Sequence, residues 1–309
     1  MGYKNNFNEL YKDNIEKFNK WCIDDRSKII NLVFRPYDNL DIVNRFIDDY
    51  LLRNKKILYV KKYYKYTEIK YKNIDYITFN CVYTLNEHYD LIIFDDLSYY
   101  SEKSAIEVIE YTSFLIKRCK KMILCSFEYI LKKVDSINLA GLNNRKHFLE
   151  PRIIKTRLNL FDSMPQILYE YFNWFINEKR NVVIYTPNDK YTVNIFNYYK
   201  KIFRSNKNIN IIKDEGFVIN NIINKDKINI VVTNNIINNI ENITEFDLIF
   251  YFCDEKFFDY KKIIFSCGKL NESKLVREVI LLCQKETNNI NQAKRVARSY
   301  NKIICKEEL

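Results

Sequence analysis

The sequence predicts two α/β domains in tandem, each built on a mostly parallel β-sheet. Short apolar runs alternate with longer stretches of helical periodicity, and this cycle occurs twice along the chain. The apolar runs are nearly continuous instead of alternating, which is typical of parallel strands covered by helices on both faces. A chain of 309 residues is also long enough to form two hydrophobic cores.

The first half of the chain contains the first cycle and a connecting segment. Strands are predicted at 29–34, 56–60, 75–80, 89–96 and 120–127, and helices at 38–53 and 101–118. The stretch 138–156, "NLAGLNNRKHFLEPRIIKT", is rich in turn residues and is interpreted as the connection between the domains. We therefore place the first domain at 1–156 and the second at 157–309.

The second half repeats the pattern. Strands are predicted at 181–186, 209–213, 228–234, 247–254 and 278–283, and helices at 163–178, 190–204 and 285–301. Strands that alternate with helices in this way form parallel sheets joined by helical crossovers.

Composition indicates a polyanionic partner and a reducing compartment. The net charge of +11 favours a ligand such as nucleic acid, although the abundance of Lys, Asn, Ile and Tyr also fits an AT-rich coding bias. The eight cysteines contain no C-x-x-C pair, so we expect neither a metal site nor disulfides, and we place the protein in the cytoplasm. No apolar run approaches the roughly 18 residues of a membrane span, so no membrane insertion is expected.

Glycine is scarce, and this bears on phosphate binding. An average chain of this length would contain about 22 glycines, whereas this one contains four. Glycine allows a loop to close its backbone N–H groups around phosphate without steric cost. A phosphate loop of the form G-x-x-x-x-G-K-[ST] cannot be written anywhere in the sequence.

Polar residues follow several predicted strands at their carboxyl ends, where functional groups gather in open α/β sheets. Asp95 and Asp96 end the strand "YDLIIFDD", and many nucleotide-hydrolysing proteins present an acid to magnesium in this way. The stretch 125–126 and the stretch 233–235 occupy equivalent places. The exit of the first strand, "RPYDNLD" at 35–41, is where a nucleotide enzyme keeps its phosphate loop.

The order and spacing of these segments resemble a superfamily 2 helicase core, and more closely the ComFA-type late-competence DNA translocases. "IIFDDLSYY" is similar to the family's D-E-V-D-A-F-P-Y, "MILCSFEY" to its strand ending in T-A-T-P, and "NNRKHFLEPRIIKT" to its connector R-x-H-x-x-P-L-P-x-P. The resemblance runs over nearly the whole chain. It implies two RecA-like domains with a cleft between them, single-stranded DNA as the ligand, and other competence proteins, such as the ComFC type, as partners.

The phosphate loop departs from the family pattern. Where the family has G-A-G-K-T, this chain has "PYDNL". Asn39 therefore stands in the lysine position and Leu40 in that of the magnesium-binding hydroxyl. Asp38 is predicted to direct a further negative charge towards an anionic ligand.

The remaining reactive motifs are altered as well. Asp95 keeps the family's metal-binding acid, whereas Asp96 replaces a water-orienting glutamate with a shorter carboxylate. In the last motif Lys269 and Glu272 stand in place of two arginines, so the second position carries the opposite charge.

These departures predict a protein without catalytic residues, metal or cofactor. Phosphoryl transfer depends on positioning and charge stabilisation, and an arginine finger alone contributes roughly 10³–10⁵ in rate. We therefore predict a catalytically inactive relative that binds single-stranded DNA as an accessory or scaffold. Two alternatives stay open: an active ATP-dependent DNA translocase or helicase with a divergent phosphate site, and a protein-interaction module that binds neither ATP nor DNA.

The most basic stretch, residues 53–72, is the predicted DNA contact. It has eight cations and one acid, a net charge of +7, interleaved with tyrosines. Cations bind phosphates without base specificity, and aromatic faces stack unpaired bases. The family's backbone-binding motif Ia falls at the same place, which implies a site at Lys61, Lys62, Tyr63, Tyr64 and Lys65. A solvated helix face with tyrosines packed beneath it is the alternative interpretation.

Overall fold

The structure is a computed structural model that describes residues 3–24, 26–63, 74–141, 146–214, 224, 226–236 and 240–305. The chain divides into two compact units, one formed by Met1–His147 with Tyr300–Leu309 and the other by Phe148–Ser299. Each unit contains one six-stranded sheet whose strand pairings are all parallel. The predicted fold class is therefore confirmed.

The first unit has the strand order β3-β2-β4-β5-β1-β6. Its elements are α1 (Tyr3–Ile23), β1 (Ile29–Val33), α2 (Asp41–Leu52), β2 (Ile57–Lys61), β3 (Ile74–Thr78), β4 (Tyr89–Asp95), α3 (Ala105–Leu115), β5 (Cys119–Ser126) and β6 (Asp135–Asn138). Strands β1, β4 and β5 lie in the interior of the sheet and are buried along nearly their whole length. This explains why their sequences are continuously apolar.

Helices pack on this sheet through apolar side chains. Phe94 and Leu124 belong to the same buried cluster as Val108 of α3. Helix α3 begins with a capping box, in which the side chains and backbone N–H groups of Ser104 and Glu107 bond reciprocally. The start of the helix is thus set locally.

Lys121 of β5 holds the end of α1. Its ammonium group donates to the carbonyl oxygens of Trp21 and Ser27, at 2.9 Å each, and to that of Asp24. It also lies 4.6 Å from the centre of the Trp21 ring. A nearly buried lysine therefore binds one carbonyl group in the last turn of α1 and two in the segment that follows it, and anchors this end of the helix to the sheet.

The second unit has the strand order β7-β12-β11-β8-β10-β9. Its elements are β7 (Arg152–Lys155), α4 (Gln166–Asn177), β8 (Asn181–Tyr185), α5 (Asp189–Ile202), β9 (Ile209–Lys213), β10 (Ile228–Thr233), β11 (Phe246–Tyr251), α6 (Tyr260–Asn271), β12 (Val279–Cys283) and the greater part of α7 (Asn288–Cys305). The last residues of α7, from Tyr300 on, belong to the first unit. At the amino end of the sheet, Arg180 binds the buried Asp247 with two hydrogen bonds of 2.6 and 2.7 Å. This ion pair joins the starts of β8 and β11.

All ten predicted strands are present, but β6, β7, α1 and α6 are not among the predicted elements. Strands β6 and β7 have four residues each, lie at sheet edges and bury few side chains, so they leave no apolar run in the sequence. Strand β7 lies inside the segment 138–156, interpreted as a connection, and pairs with β12. The boundary between 156 and 157 lies just after β7 and stays a prediction.

Among the residues that the structure describes, no helix is long and apolar enough to cross a bilayer. Within the same ranges, no three His, Cys, Asp or Glu side chains are grouped as metal ligands would be.

Candidate nucleic-acid interface and vestigial nucleotide site

The loop after β1, residues 34–40, closes around a buried arginine. Arg35 is only 1% exposed, and its Nη1 donates to the carbonyl oxygen of Lys146 at 2.7 Å. Gly141 packs against the guanidinium with a φ of +80°, and a Cβ there would lie 2.9 Å from Arg35 Nη2. This position therefore requires glycine for contact with a side chain of the protein itself.

The Asp38 carboxylate accepts the backbone hydrogen bonds of this loop. Its Oδ2 accepts from the N–H groups of Arg35 (3.0 Å) and Gly141 (3.3 Å) and lies 3.4 Å from Arg35 Nε. In a phosphate-binding loop, N–H groups at this place point at the bound anion. The sequence predicts that Asp38 directs its charge towards a ligand, whereas in the structure it faces Arg35. The anion of this loop is thus one of its own side chains.

Asn39 and Leu40, the predicted remnants of the lysine and hydroxyl positions, are the last two residues of this loop and directly precede α2. Asn39 Nδ2 donates to Asp41 Oδ2 at 2.9 Å. Leu40 is buried and occupies the N-cap position of α2, where its apolar side chain makes no capping hydrogen bond. Tyr37 has a φ of 65°, a left-handed conformation that tyrosine rarely adopts. The loop conformation is therefore fixed by its own side chains.

Asp95, at the end of β4, is enclosed by hydrogen-bond donors. Its Oδ1 accepts from the N–H groups of Leu97 and Ser98 at 3.0 Å each. Its Oδ2 accepts from the Tyr59 hydroxyl at 2.9 Å and from the Ser98 hydroxyl. Burial, together with the charge of Asp95, raises the pKa of Tyr59 well above its usual range, so Tyr59 keeps its proton. The carboxylate that would hold a metal thus closes the turn after β4.

Asp96 and Cys125 are also buried at this edge. The Asp96 N–H donates to the Cys125 carbonyl oxygen at 3.0 Å, which ties the turn after β4 to β5. Burial, with a smaller contribution from Asp95, raises the pKa of the Cys125 thiol well above its usual range. The thiol is therefore neutral and unsuited to nucleophilic chemistry.

Lys269 and Glu272, in the second unit, bind each other. Lys269 Nζ lies 2.8 Å from Glu272 Oε2 and 3.1 Å from Glu241 Oε2. Burial lowers the pKa of Lys269, but the hydrogen bond to Glu272 and the charge of Glu241 outweigh it, so the net shift is upwards. Two carboxylates thus neutralise the charge of Lys269.

The predicted DNA contacts Lys61, Lys62 and Tyr63 lie at the carboxyl end of β2, while Tyr64 and Lys65 lie outside the described residues. Strands β2 and β4 are neighbours in the sheet. The chain leaves β2 towards β3 on one side, and it leaves β4 towards β5 on the opposite side, so the two connections run in opposite directions from this point. Ligands of open α/β sheets bind in crevices at such points. Lys61 is paired in register with Asp95, which places the basic residues beside this point.

The structure adds tyrosines to this edge that are absent from the predicted site. The Tyr99 and Tyr63 ring centres lie 5.6 Å apart, and the Lys62 ammonium donates to the Tyr100 carbonyl oxygen at 2.6 Å. The signal in the sequence is the Tyr99–Tyr100 pair at the end of "YDLIIFDDLSYY". Without the fold, nothing connects this pair with Lys61.

The carboxyl edge of the second sheet has a different character. A pocket of about 480 Å³ there is lined by Asp189, Asp214, Lys213, Asn234 and Asn235, among others. The Thr233 hydroxyl donates to Asp214 Oδ2 at 2.9 Å, and the Asn234 amide donates to Asp189 at 3.1 Å. Two carboxylates against one lysine make this pocket a poor place for a phosphate.

The two sheets define the class of the molecule: two α/β units in tandem along the chain, each with a six-stranded parallel sheet, consistent with RecA-like domains. No protein-family model matches the sequence, and no curated protein does either.

Three solved structures are similar in fold. The ATP-dependent Type ISP restriction-modification enzyme LlaBIII bound to DNA has a TM-score of 0.52 at 10% identity, over 96% of this chain and 29% of that one. The DUF1998 helicase MrfA bound to DNA and AMPPNP has a TM-score of 0.44 at 9% identity, over 95% of this chain and 50% of that one. The Escherichia coli DEAH/RHA helicase HrpB has a TM-score of 0.40 at 12% identity, over 87% of this chain and 38% of that one. The chain thus spans half the length of these proteins or less, and at such identities the likeness concerns the fold alone.

Proposed function

We propose that this protein is a helicase-like protein that binds single-stranded DNA and does not hydrolyse ATP. The observation that carries the proposal is the Asp38 carboxylate held inside the loop after β1 by Arg35 and Gly141. The Arg35 N–H, the backbone group of this loop that could face an anion, is thus engaged by a side chain of the loop itself.

Electrostatics oppose a nucleotide at this loop. Two unit charges about 4 Å apart interact by about 4 kcal/mol at an effective dielectric constant of about 20, which corresponds to roughly 10³ in affinity. A phosphate next to Asp38 would meet only part of this repulsion, because the Arg35 guanidinium 3.4 Å away balances the carboxylate; the pair therefore gives the loop no net positive charge to attract a phosphate. Asp95 and Lys269, the other groups in nucleotide-contacting positions, have partners of their own within their units.

Charge and chemistry support nucleic acid as the ligand. The chain has a net charge of +11, and Lys61 and Lys62 lie with Tyr63 and Tyr99 at one sheet edge of the first unit. LlaBIII, whose structure contains DNA, has the same fold, so this fold is compatible with such a ligand. The acidic pocket of the second unit supports the assignment of phosphate contacts to the first unit.

The proposed role is that of an accessory or scaffold in the cytoplasm, related to competence DNA uptake. This part of the proposal rests on the resemblance to ComFA-type translocases, which also implies partners of the ComFC type. A pull-down with purified competence proteins tests it separately from DNA binding.

A protein-interaction module is the second candidate, and one surface favours it. Trp174, Leu275 and Val276 are 37%, 59% and 72% exposed. The Arg180 guanidinium lies 4.5 Å from the centre of the Trp174 ring and donates to the Val276 carbonyl oxygen at 2.7 Å. These apolar side chains therefore lie at one place on the second unit, as in protein-binding surfaces.

Two measurements on the full chain separate the candidates. Phosphate release from ATP and magnesium is measured with and without single-stranded DNA, and binding of labelled single-stranded DNA is measured over a range of salt. We expect no turnover, and DNA binding that weakens with salt. Turnover above about 1 s⁻¹ that Asp95→Ala abolishes would identify an active translocase. Absence of DNA binding at low salt would leave the interaction module.

A further inference from the structure

Four tyrosine rings of the first unit are connected in series through Lys61. The ring centres of Tyr76 and Tyr59 lie 5.8 Å apart with an interplanar angle of 27°, and those of Tyr63 and Tyr99 lie 5.6 Å apart at 84°. Lys61 Nζ lies 5.9 Å from the centre of the Tyr59 ring and 5.8 Å from that of Tyr99. We call these five residues the tyrosine row.

The tyrosine row is partly exposed. Tyr59, Tyr76 and Tyr99 are partly exposed, Tyr63 is 46% exposed, and none of the four belongs to the buried cluster between the sheet and α3. The rings come from β2, β3 and the segments that follow β2 and β4. Such partly exposed aromatic faces beside a cation provide a platform on which unpaired bases stack.

Neighbouring groups hold the rings in place. The Tyr59 hydroxyl donates to Asp95, which is itself held by the N–H groups of Leu97 and Ser98. The hydrogen bond from Lys62 to the Tyr100 carbonyl oxygen fixes the segment that carries Tyr99. A platform that is already ordered loses little conformational entropy when it binds a ligand.

We propose that the tyrosine row is a base-stacking track for an unpaired nucleic-acid strand. Bases stack on Tyr63 and Tyr99, Lys61 contacts the adjoining phosphate, and Asp95 is a positioning residue that orients Tyr59. The inference rests on the proposed function and extends it in two respects. It assigns a role to Tyr99, and it gives a physical reason for the preference for unpaired strands, because the faces of paired bases are covered by their neighbours in the duplex.

The test compares two probes that share their phosphates. One is a labelled oligothymidylate, and the other is a strand of equal length made of abasic deoxyribose phosphates. We expect Tyr99→Ala and Tyr99→Leu to weaken binding of oligothymidylate about 5- to 150-fold and to leave binding of the abasic strand unchanged. Tyr99→Phe keeps the ring and should bind both probes as the wild type does.

Two further variants complete the design. Tyr59→Phe removes only the hydrogen bond to Asp95, so we expect a smaller loss on oligothymidylate and none on the abasic strand. Tyr169→Ala is the matched control, because Tyr169 is 45% exposed on α4 of the second unit and lies outside the tyrosine row. It should change neither measurement.

The outcomes separate this inference from the proposed function. If the wild type binds oligothymidylate and Tyr99→Ala and Tyr99→Leu leave that binding unchanged, or weaken both probes equally, the stacking track is wrong and the proposed function stands. If the wild type binds neither probe, both fail. Tyr99→Leu preserves the apolar contact at this position, so a folding defect confined to Tyr99→Ala does not affect the test.

Discussion

Replacing Asp38 by alanine tests the closed loop after β1 directly. The change removes the acceptor for two backbone N–H groups and the carboxylate beside Arg35, a guanidinium that is 1% exposed. Removing one partner of a buried ion pair costs about 3–5 kcal/mol. Arg35 keeps its bond to the Lys146 carbonyl oxygen, and the Asp38 side chain is 16% exposed, so we expect about 3 kcal/mol.

The first unit can be followed by its own fluorescence. The chain has two tryptophans, Trp21 in the first unit and Trp174 in the second, so Trp174→Phe leaves one reporter. With a slope of about 2 kcal/mol per molar urea, Asp38→Ala should lower the unfolding midpoint by about 1.5 M. Asp24→Ala is the matched control, because Asp24 binds Arg26 at 3.0 Å on the surface. Exposed pairs contribute little to stability, so no measurable change is expected there.

One result would refute the reasoning. If Asp38→Ala lowers the midpoint no more than Asp24→Ala, Asp38 does not close the loop, and the argument against nucleotide binding loses its basis. Asp38→Asn refines the outcome, because it keeps an acceptor and removes the charge. The unfolding midpoint of Asp38→Asn should therefore lie between those of the wild type and Asp38→Ala.

Three further predictions concern other parts of the first unit. Lys61→Ala should flatten the slope of log affinity for single-stranded DNA against log salt by about 0.7, and an unchanged slope would remove Lys61 from the interface. Lys121→Met deprives three carbonyl groups of their donor and should lower the free energy of unfolding by about 2–4 kcal/mol, measured by urea denaturation. Lys120→Met, at the exposed neighbouring position, is the control and should not change this free energy measurably. Burial raises the pKa of the Cys125 thiol, whereas Cys81 is exposed. Iodoacetamide at pH 8 should therefore modify Cys81 in the folded protein and Cys125 only after unfolding, as measured by peptide mass spectrometry. Labelling of Cys125 in the folded protein would contradict its burial.

The strands could be predicted from sequence because a strand that is buried on both faces is a continuous apolar run in the sequence. In β4, "YDLIIFD", nearly every residue is buried, and the apolar run marks the strand to within one residue. The edge strands β6 and β7 have four residues each and bury only one of them, so no apolar run distinguishes them from a loop. Helix α1 is equally inconspicuous, because part of its attachment is Lys121, about a hundred residues further along the chain.

The candidate site was predictable in position but not in its contacts. Asp95, Asn39 and Leu40 follow strands, and parallel strands bring their carboxyl ends to one edge, so their general location follows from the pattern. Their partners do not. The Gly141 N–H that binds Asp38 is 103 residues away, and Tyr99 meets Tyr63 only because β2 and β4 are neighbours in the sheet.

The sequence by itself determined the strand–helix cycle, the scarcity of glycine and the absence of a G-x-x-x-x-G-K-[ST] phosphate loop. These properties depend on residue type and local period, which the chain carries at every position. Only the tertiary structure decided that Asp38 and Asp95 are engaged by neighbouring side chains and backbone N–H groups and that Lys61 lies between two pairs of tyrosine rings. Hydrogen bonds and ring contacts require distances of a few ångströms between segments far apart in the chain, and strand order, which a local pattern does not encode, sets those distances.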